Sequence, residues 1–331
     1  MSGGRNAACP CGSGQKIKRC CGALGGVPPL VRAAWAGQWS AVWAAQTRWD
    51  HGAVAVSGVP PWVGQPVARL LVVQTMTGAG DAIWAARFLP VVARAAPTLT
   101  VAATPALAGL LATVPGVTDV VRLTGLQGPV ALTGARPDAY VPLVTLPRVL
   151  AATPATAPPS GYFALGPRAP LAWPPRRIAF AWRGTAGYTL DPWRRTPLAA
   201  WAPLFAATPT VTWLACAPEH RAGLAALAAP NVRDATADGP DWLATARLLT
   251  TCDLVVAVDT GLAHLAAALG LPTWVLVGPH RQIYWGPPGA RRSPWYPQAR
   301  LFRPARPRDW APVIGEVQAA LAASGAAPVV A

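Results

Sequence analysis

The chain has 331 residues and a mass of 34.3 kDa, which at about 150 residues per domain predicts two globular domains and an extra module. Only 12% of residues are charged against 53% hydrophobic, and this excludes a disordered chain, because so apolar a sequence buries enough surface to offset its ordering entropy. The 28 Lys and Arg against 13 Asp and Glu leave a net charge of +15, but the basic pairs Arg176-Arg177, Arg194-Arg195 and Arg291-Arg292 are scattered and lack the aromatic ladder of a single-strand groove, so nucleic acid is not the favoured partner. Mean hydropathy is positive, +0.32. Even so, the most apolar stretch, 243–278, is interrupted by Asp253, Asp259 and His264, and no run of ~18 apolar residues predicts a membrane-spanning helix. The opening MSGGRNAACPCG lacks the apolar core of a secretory leader. A cytoplasmic location and reduced cysteines are expected.

Four of the six cysteines, Cys9, Cys11, Cys20 and Cys21, fall within 13 positions in CPCGSGQKIKRCCG. Four thiolates complete one tetrahedral zinc shell, and the Gly-Ser-Gly turn lets the CxC and CC pairs face each other. The segment is too short for a hydrophobic core, so the metal would supply the folding energy; the alternative is a set of reduced, unligated thiols. The segment resembles the SEC-C zinc motif over about residues 5–22. That resemblance implies a docking element, with Lys16, Lys18 and Arg19 turned towards a protein partner. Cys216 and Cys252 lie in apolar runs and read as ordinary buried residues.

Residues 27–66 hold Trp35, Trp39, Trp43 and Trp49, and the spacing of the first three places them on one helical face that packs on the body. Strands and helices then alternate. LLVVQ (70–74) is an apolar strand, TMTGAGD a Gly-rich turn and AIWAARFLPVVARAA a helix, and LTVAA, PALAGLLATV and VTDVVRL repeat the scheme. A proline-rich crossing, 153–175, interrupts it. RIAFAW, LAAWAPLFAA, VTWLAC, PEHRAGLAALAA, DWLATARLLTTC, DLVVAV, DTGLAHLAAALG and PTWVLVG resume it. The chain thus reads as α/β, with two doubly wound Rossmann-like domains facing a ligand cleft. The expected boundaries are 1–26 for the zinc knuckle, 27–66 for a helical Trp-rich connector, 67–170 for the first domain and 171–331 for the second, closed by a C-terminal helix.

Chemistry concentrates where strands end. In Val258-Asp259-Thr260-Gly261-Leu262-Ala263-His264 a buried strand runs into a helix, the position at which open α/β sheets bind ligands. Free amides, the Thr260 hydroxyl and a close backbone approach at Gly261 make a phosphate cradle, with His264 one turn further on. Equally, Asp259 reads as a plain helix N-cap beside a partly buried His264. In Gly78-Ala79-Gly80-Asp81, Asp81 occupies the corresponding turn of the first half. It reads either as a base facing the cleft or as a helix N-cap.

CDLVVAVDTGLAHLAAALGLPTWVLVGP resembles the donor-domain signature of bacterial heptosyltransferases. Together with PPWVGQPVARLLVVQ, PDAYVPLVTLPRVL, SPWYPQARLFRP and RDW, it is also similar to bacterial glycosyltransferases linked to tetratricopeptide repeats, over roughly 47–321. The resemblance implies the GT-B architecture, with donor nucleotide on the C-terminal half, acceptor on the N-terminal half and no catalytic metal. It implies that Arg194 is a phosphate clamp, Gly184 the glycine beside it, Asp81 the general base, and Arg87, with Gly78 and Gly80, part of the acceptor side. The expected substrates are a nucleotide-diphosphate sugar and a glycan or protein hydroxyl. The alternative is a catalytically silent scaffold recruited through the knuckle. If the four clustered cysteines hold zinc, deleting residues 1–26 removes one equivalent of zinc in metal analysis, and unchanged zinc content overturns the assignment.

Overall fold

The computed structural model describes residues 28–50, 56–75, 78–125, 135–168, 170–185, 191–217, 222–227, 229–235, 241–279 and 283–324, with isolated positions 6, 7, 16 and 18; for 47–50 it describes the backbone alone. The four clustered cysteines and Trp49's side chain lie outside these residues.

Two parallel sheets form the body. The first contains β1 (Arg69–Val73), β2 (Thr98–Ala103), β3 (Asp119–Arg122) and β4 (Ala139–Pro142) in the order β3-β2-β1-β4. The second contains β5 (Arg177–Ala181), β6 (Thr212–Ala215), β7 (Val232–Asp234), β8 (Leu254–Val258), β9 (Thr273–Leu276) and β10 (Ala299–Phe302) in the order β10-β9-β8-β5-β6-β7. Every named strand pair is parallel. The strand order reverses beside β1 and beside β5, and these switch points are where such sheets form ligand crevices.

Side-chain alternation explains how each sheet is covered on both faces. In β1, Leu70 and Val72 enter the large core that runs between the halves, while Leu71 and Val73 pack with Val56, Val59, Ala102 and Leu123. In β5, Ile178 and Phe180 enter a second core with Trp201, Phe205 and Trp213, roofed by Val313, Ile314 and Val317 of the helix Ala311–Ser324. The opposite face carries Ala179 and Ala181, joined by Ala257 of β8. These small side chains give the helix Gly261–Ala268 room to sit close against the sheet.

The amino-terminal tryptophans do not share one helix. Gly37, at φ +71, separates the helix Pro29–Trp35 from Trp39–Asp50, a backbone conformation that glycine adopts without steric cost. Trp39 and Trp43 nevertheless pack on the body as the spacing predicts, their rings 4.9 and 6.3 Å from that of Trp295. Trp43 Nε1 donates to the Ala152 carbonyl at 2.7 Å.

The crossing between the sheets is tied to both. Gly161 N donates to Ala268 O at 2.7 Å, Tyr162 Oη to Ile83 O at 2.9 Å and Ala164 N to Thr113 O at 3.0 Å. Further on, the Asp253 carboxylate accepts from the amides of Ala172, Arg176 and Arg177 at 2.7 to 2.9 Å. Among the described residues, no helix is long and apolar enough to cross a membrane.

Candidate functional site

All five residues of β8 are buried, and the strand ends at Asp259 and Thr260, also buried. Thr260, with extended backbone at φ −147 and ψ 168, is the N-cap of the helix Gly261–Ala268, whose first turn has no side-chain cap. The N-cap is therefore Thr260 and not Asp259. The Thr260 hydroxyl is itself buried and makes no hydrogen bond among the described residues. An uncapped first turn leaves backbone amides and the positive end of the helix dipole available to an anion.

Beside it, β5 runs out through Trp182 and Arg183 to Gly184. Arg194, on the short helix Asp191–Arg194, reaches across, and its Nη1 donates to the Asp259 carbonyl at 2.9 Å. A Cβ at Gly184 would lie 2.7 Å from Arg194 Cζ, so the glycine leaves the space that the guanidinium occupies. Three arginines converge on the buried Asp191 carboxylate: Arg183 at 3.3 Å, Arg194 at 3.6 Å and Arg195 at 3.7 Å. Asp191 accepts a hydrogen bond from Arg183 and attracts Arg194 and Arg195 by charge, and Arg194 is the one seated beside the helix start. At Gly261 the missing side chain makes room for something different, since a Cβ there would stand 3.0 Å from Cζ2 of Trp242. The indole, half-buried, lies against the first turn of the helix.

In the first half, β1 ends at the buried Gln74, whose Oε1 accepts from Thr104 N and Oγ1 at 2.9 and 3.1 Å. Met76 and Thr77 lie outside the described residues. Gly78 is the N-cap of the helix Ala79–Ala85, and Asp81, in its first turn, accepts the Gly78 amide on Oδ2 at 3.0 Å. Asp81 is thus not the N-cap either. Its other oxygen, Oδ1, accepts the Tyr284 hydroxyl from the second half at 2.6 Å.

The two site helices pack on each other. Gly80 meets the His264 ring, and a Cβ at Gly80 would lie 2.7 Å from Cδ2. His264 is only 3% exposed, with Tyr284 and Trp285 at ring distances of 4.8 Å, Tyr296 Oη 3.3 Å from Nδ1 and Asp259 Oδ1 3.7 Å from Nε2. Arg87 is buried as well. Its Nη1 donates to the Trp295 carbonyl at 2.9 Å and its guanidinium lies 4.5 Å from the Tyr296 ring centre. Thus Asp259, Thr260, Gly261, Gly184 and Arg194 come together at the ends of β5 and β8, Asp81, Gly78 and Gly80 stand opposite, and His264 and Arg87 lie in the seam between the halves.

Sequence reasoning gave no role to Asp191, Arg183, Trp242 or Tyr284. The clustering of Arg183, Arg194 and Arg195 around one acidic residue was a visible signal for Asp191. Tyr284 gave none, because it meets Asp81 across 203 positions of sequence. Of the remaining cysteines, Cys252 is buried as the sequence predicts and Cys216 is half-buried; desolvation pushes the thiols of Cys216 and Cys252 up to about 12 and about 11, so neither is a thiolate nucleophile near neutral pH. No group of His, Cys, Asp or Glu among the described residues forms a metal site.

Two parallel α/β halves meeting at the carboxyl ends of their switch strands define a GT-B-type glycosyltransferase fold. Residues 197–310 match glycosyltransferase family 9 (heptosyltransferase), and residues 5–23 match the SEC-C motif. Over residues 197–310 the chain is thus heptosyltransferase-like, with an SEC-C motif ahead of that segment. Its fold is similar to a Veillonella parvula glycosyl transferase family 9 structure, with 14% identity, 73% of this chain and 88% of that one covered, and a TM-score of 0.52. It is also similar to Escherichia coli ADP-heptose LPS heptosyltransferase II, with 17% identity, 78% and 99% covered, and a TM-score of 0.51. No curated protein matches the chain.

The contact of Gly80 with the His264 ring yields a test with opposite signs. In an open helix, Gly80→Ala stabilises by up to ~1 kcal/mol. Against a ring wedged among Tyr284, Trp285 and Tyr296, overpacking costs about 1 to 3 kcal/mol. Denaturant unfolding is expected to show destabilisation.

Proposed function

We propose that the chain transfers a sugar from a nucleotide-diphosphate sugar to an acceptor hydroxyl, with the donor on residues 171–331 and the acceptor on 67–170. The observation that carries this reading is the uncapped helix start at Thr260-Gly261, with the Arg194 guanidinium seated beside it over Gly184. Backbone amides, a helix dipole and arginines held by Asp191 together fit the diphosphate of a donor. The E. coli neighbour is named for ADP-heptose, which makes ADP-heptose the first donor to try and ADP the first binding probe.

Asp81 supplies the base. It takes the proton of the acceptor hydroxyl as that oxygen bonds to the anomeric carbon, while the bond from this carbon to the diphosphate oxygen breaks. The negative charge that develops on the leaving diphosphate falls beside Arg194 and the helix start, where fixed positive groups stabilise it without a metal ion. His264 holds Asp259 and the opposing helix in register, and Arg87 fixes the acceptor-side helix, with Gly78 and Gly80 shaping its first turn. At the N-terminus, the thiolates of Cys9, Cys11, Cys20 and Cys21 form a donor set suited to structural zinc, and the knuckle they fold serves as a docking module for a protein partner.

Removing the clamp weakens donor binding. Arg194→Ala loses a charge-assisted contact of about 1.5 to 3 kcal/mol, a rise of roughly 10- to 150-fold in the Kd for ADP. Gly184→Ala, which pushes the guanidinium off its seat, shifts calorimetric affinity the same way; unchanged titrations in both variants move the site elsewhere.

Removing the base acts on rate alone. Asp81→Asn keeps an oxygen for the Gly78 amide, so ADP affinity is retained while turnover of ADP-heptose falls ~10² to 10⁴-fold. Full turnover by this variant refutes the base assignment. A wild-type chain that binds ADP and turns over no nucleotide sugar supports the silent scaffold instead.

A further inference from the structure

The Asp81 carboxylate is held from both sides of the cleft. Oδ2 is bound by the amide of Gly78 in its own helix, at 3.0 Å, whereas Oδ1 is bound by a phenol of the opposite half, Tyr284, at 2.6 Å. A carboxylate on a single-bonded side chain turns about its last torsion, which is broad and weakly restrained. One hydrogen bond from its own helix start fixes one oxygen, and a second from outside fixes the plane. The bonded oxygen still offers a further lone pair to an acceptor hydroxyl.

Tyr284 is itself rigidly placed. Its ring, 8% exposed, lies 5.0 Å from Trp84 of the first half and 4.8 Å from His264 of the second. Its carbonyl accepts the Ser293 hydroxyl at 2.6 Å, and that hydroxyl oxygen accepts the amides of Trp295 and Tyr296 at 3.2 and 3.0 Å. The next residue is anchored too, because Arg303 Nη2 donates to the Trp285 carbonyl at 2.6 Å. The segment is therefore fixed to the second half, and its phenol reaches Asp81 across the cleft.

Resting on the reading of Asp81 as the base, we infer that Tyr284 is a positioning residue that orients this base from the donor half. Without the phenol the carboxylate plane has no fixed line to the acceptor hydroxyl, and misplacement of about 1 Å costs up to ~10²-fold in rate.

The test uses the full chain, ADP as binding probe and ADP-heptose as donor. Tyr284→Phe keeps the ring contacts with Trp84 and His264 and removes only the hydroxyl, and its melting curve is expected to follow that of the wild type. Turnover is expected to fall about 10- to 100-fold with the Kd for ADP unchanged. Combined with Asp81→Asn, Tyr284→Phe is expected to add nothing further, because an orienting group has no effect once the base is gone. Wild-type turnover by Tyr284→Phe, with Asp81→Asn slow, overturns the role of Tyr284 and leaves the base standing. A further loss in the double variant overturns it as well, since Tyr284 then acts by another route. A fast Asp81→Asn variant, or a wild type inert towards ADP-heptose, overturns the base reading and this inference with it.

Discussion

A guanidinium taken out of water must recover its lost hydration from the protein. Arg87 recovers part of it across the seam: its Nη1 donates to the Trp295 carbonyl, and its charge lies over the rings of Tyr296, Tyr162 and Trp295 at 4.5 to 5.8 Å, while Nε and Nη2 are buried without a hydrogen-bond partner among the described residues. Tyr162 belongs to the crossing segment and the other two rings to the second half, so the partners of one cation come from separate parts of the chain. The same Trp295 ring packs edge-on against Trp84 at 5.0 Å and against Trp39 at 4.9 Å. The amino-terminal helices, the first sheet's leading helix and the second half therefore meet at one tryptophan, held at its carbonyl by one charge. The spacing of the site depends on this contact.

Each half contributes one chemistry, and its position follows from strand direction. Parallel strands deliver their carboxyl ends to one edge, so β1 brings Asp81 to the seam and β5 and β8 bring the arginine cluster and the helix start. Basic groups collect in the second half around Asp191, while the single carboxylate proposed as base stands in the first. This separation keeps Asp81 from pairing with the arginines, which would hold it as a salt bridge in place of a proton acceptor.

Much of this architecture was legible in the sequence. Apolar runs such as LLVVQ and DLVVAV, each followed by a turn and a helix, marked β1 and β8 and their parallel setting. β4, β7 and β10 were less visible, because AYVP, VRD and ARLF are short and carry proline or charge within four residues, and pairing with a neighbour rather than local pattern makes them strands. The glycines taught a different lesson. Gly261 and Gly184 both stood out, but a sequence shows only that space is required, and the occupants are Trp242 in one case and Arg194 in the other. Tyr284 and Arg87 depend on contacts across the halves, which no local spacing encodes.

The crossing chain between the sheets is also a mechanical element. Between 160 and 164 it is stitched alternately to the second half through Gly161 and to the first through Tyr162 and Ala164, and from Ala172 onward it is gripped by Asp253. A free tether would let two domains swing as independent bodies, whereas this one is bonded to both. Separating the halves has to break the hydrogen bond from Gly161 to Ala268 or those from Tyr162 and Ala164. Backbone remote from Asp81 and Arg194 thus adds to the contacts that hold the halves together.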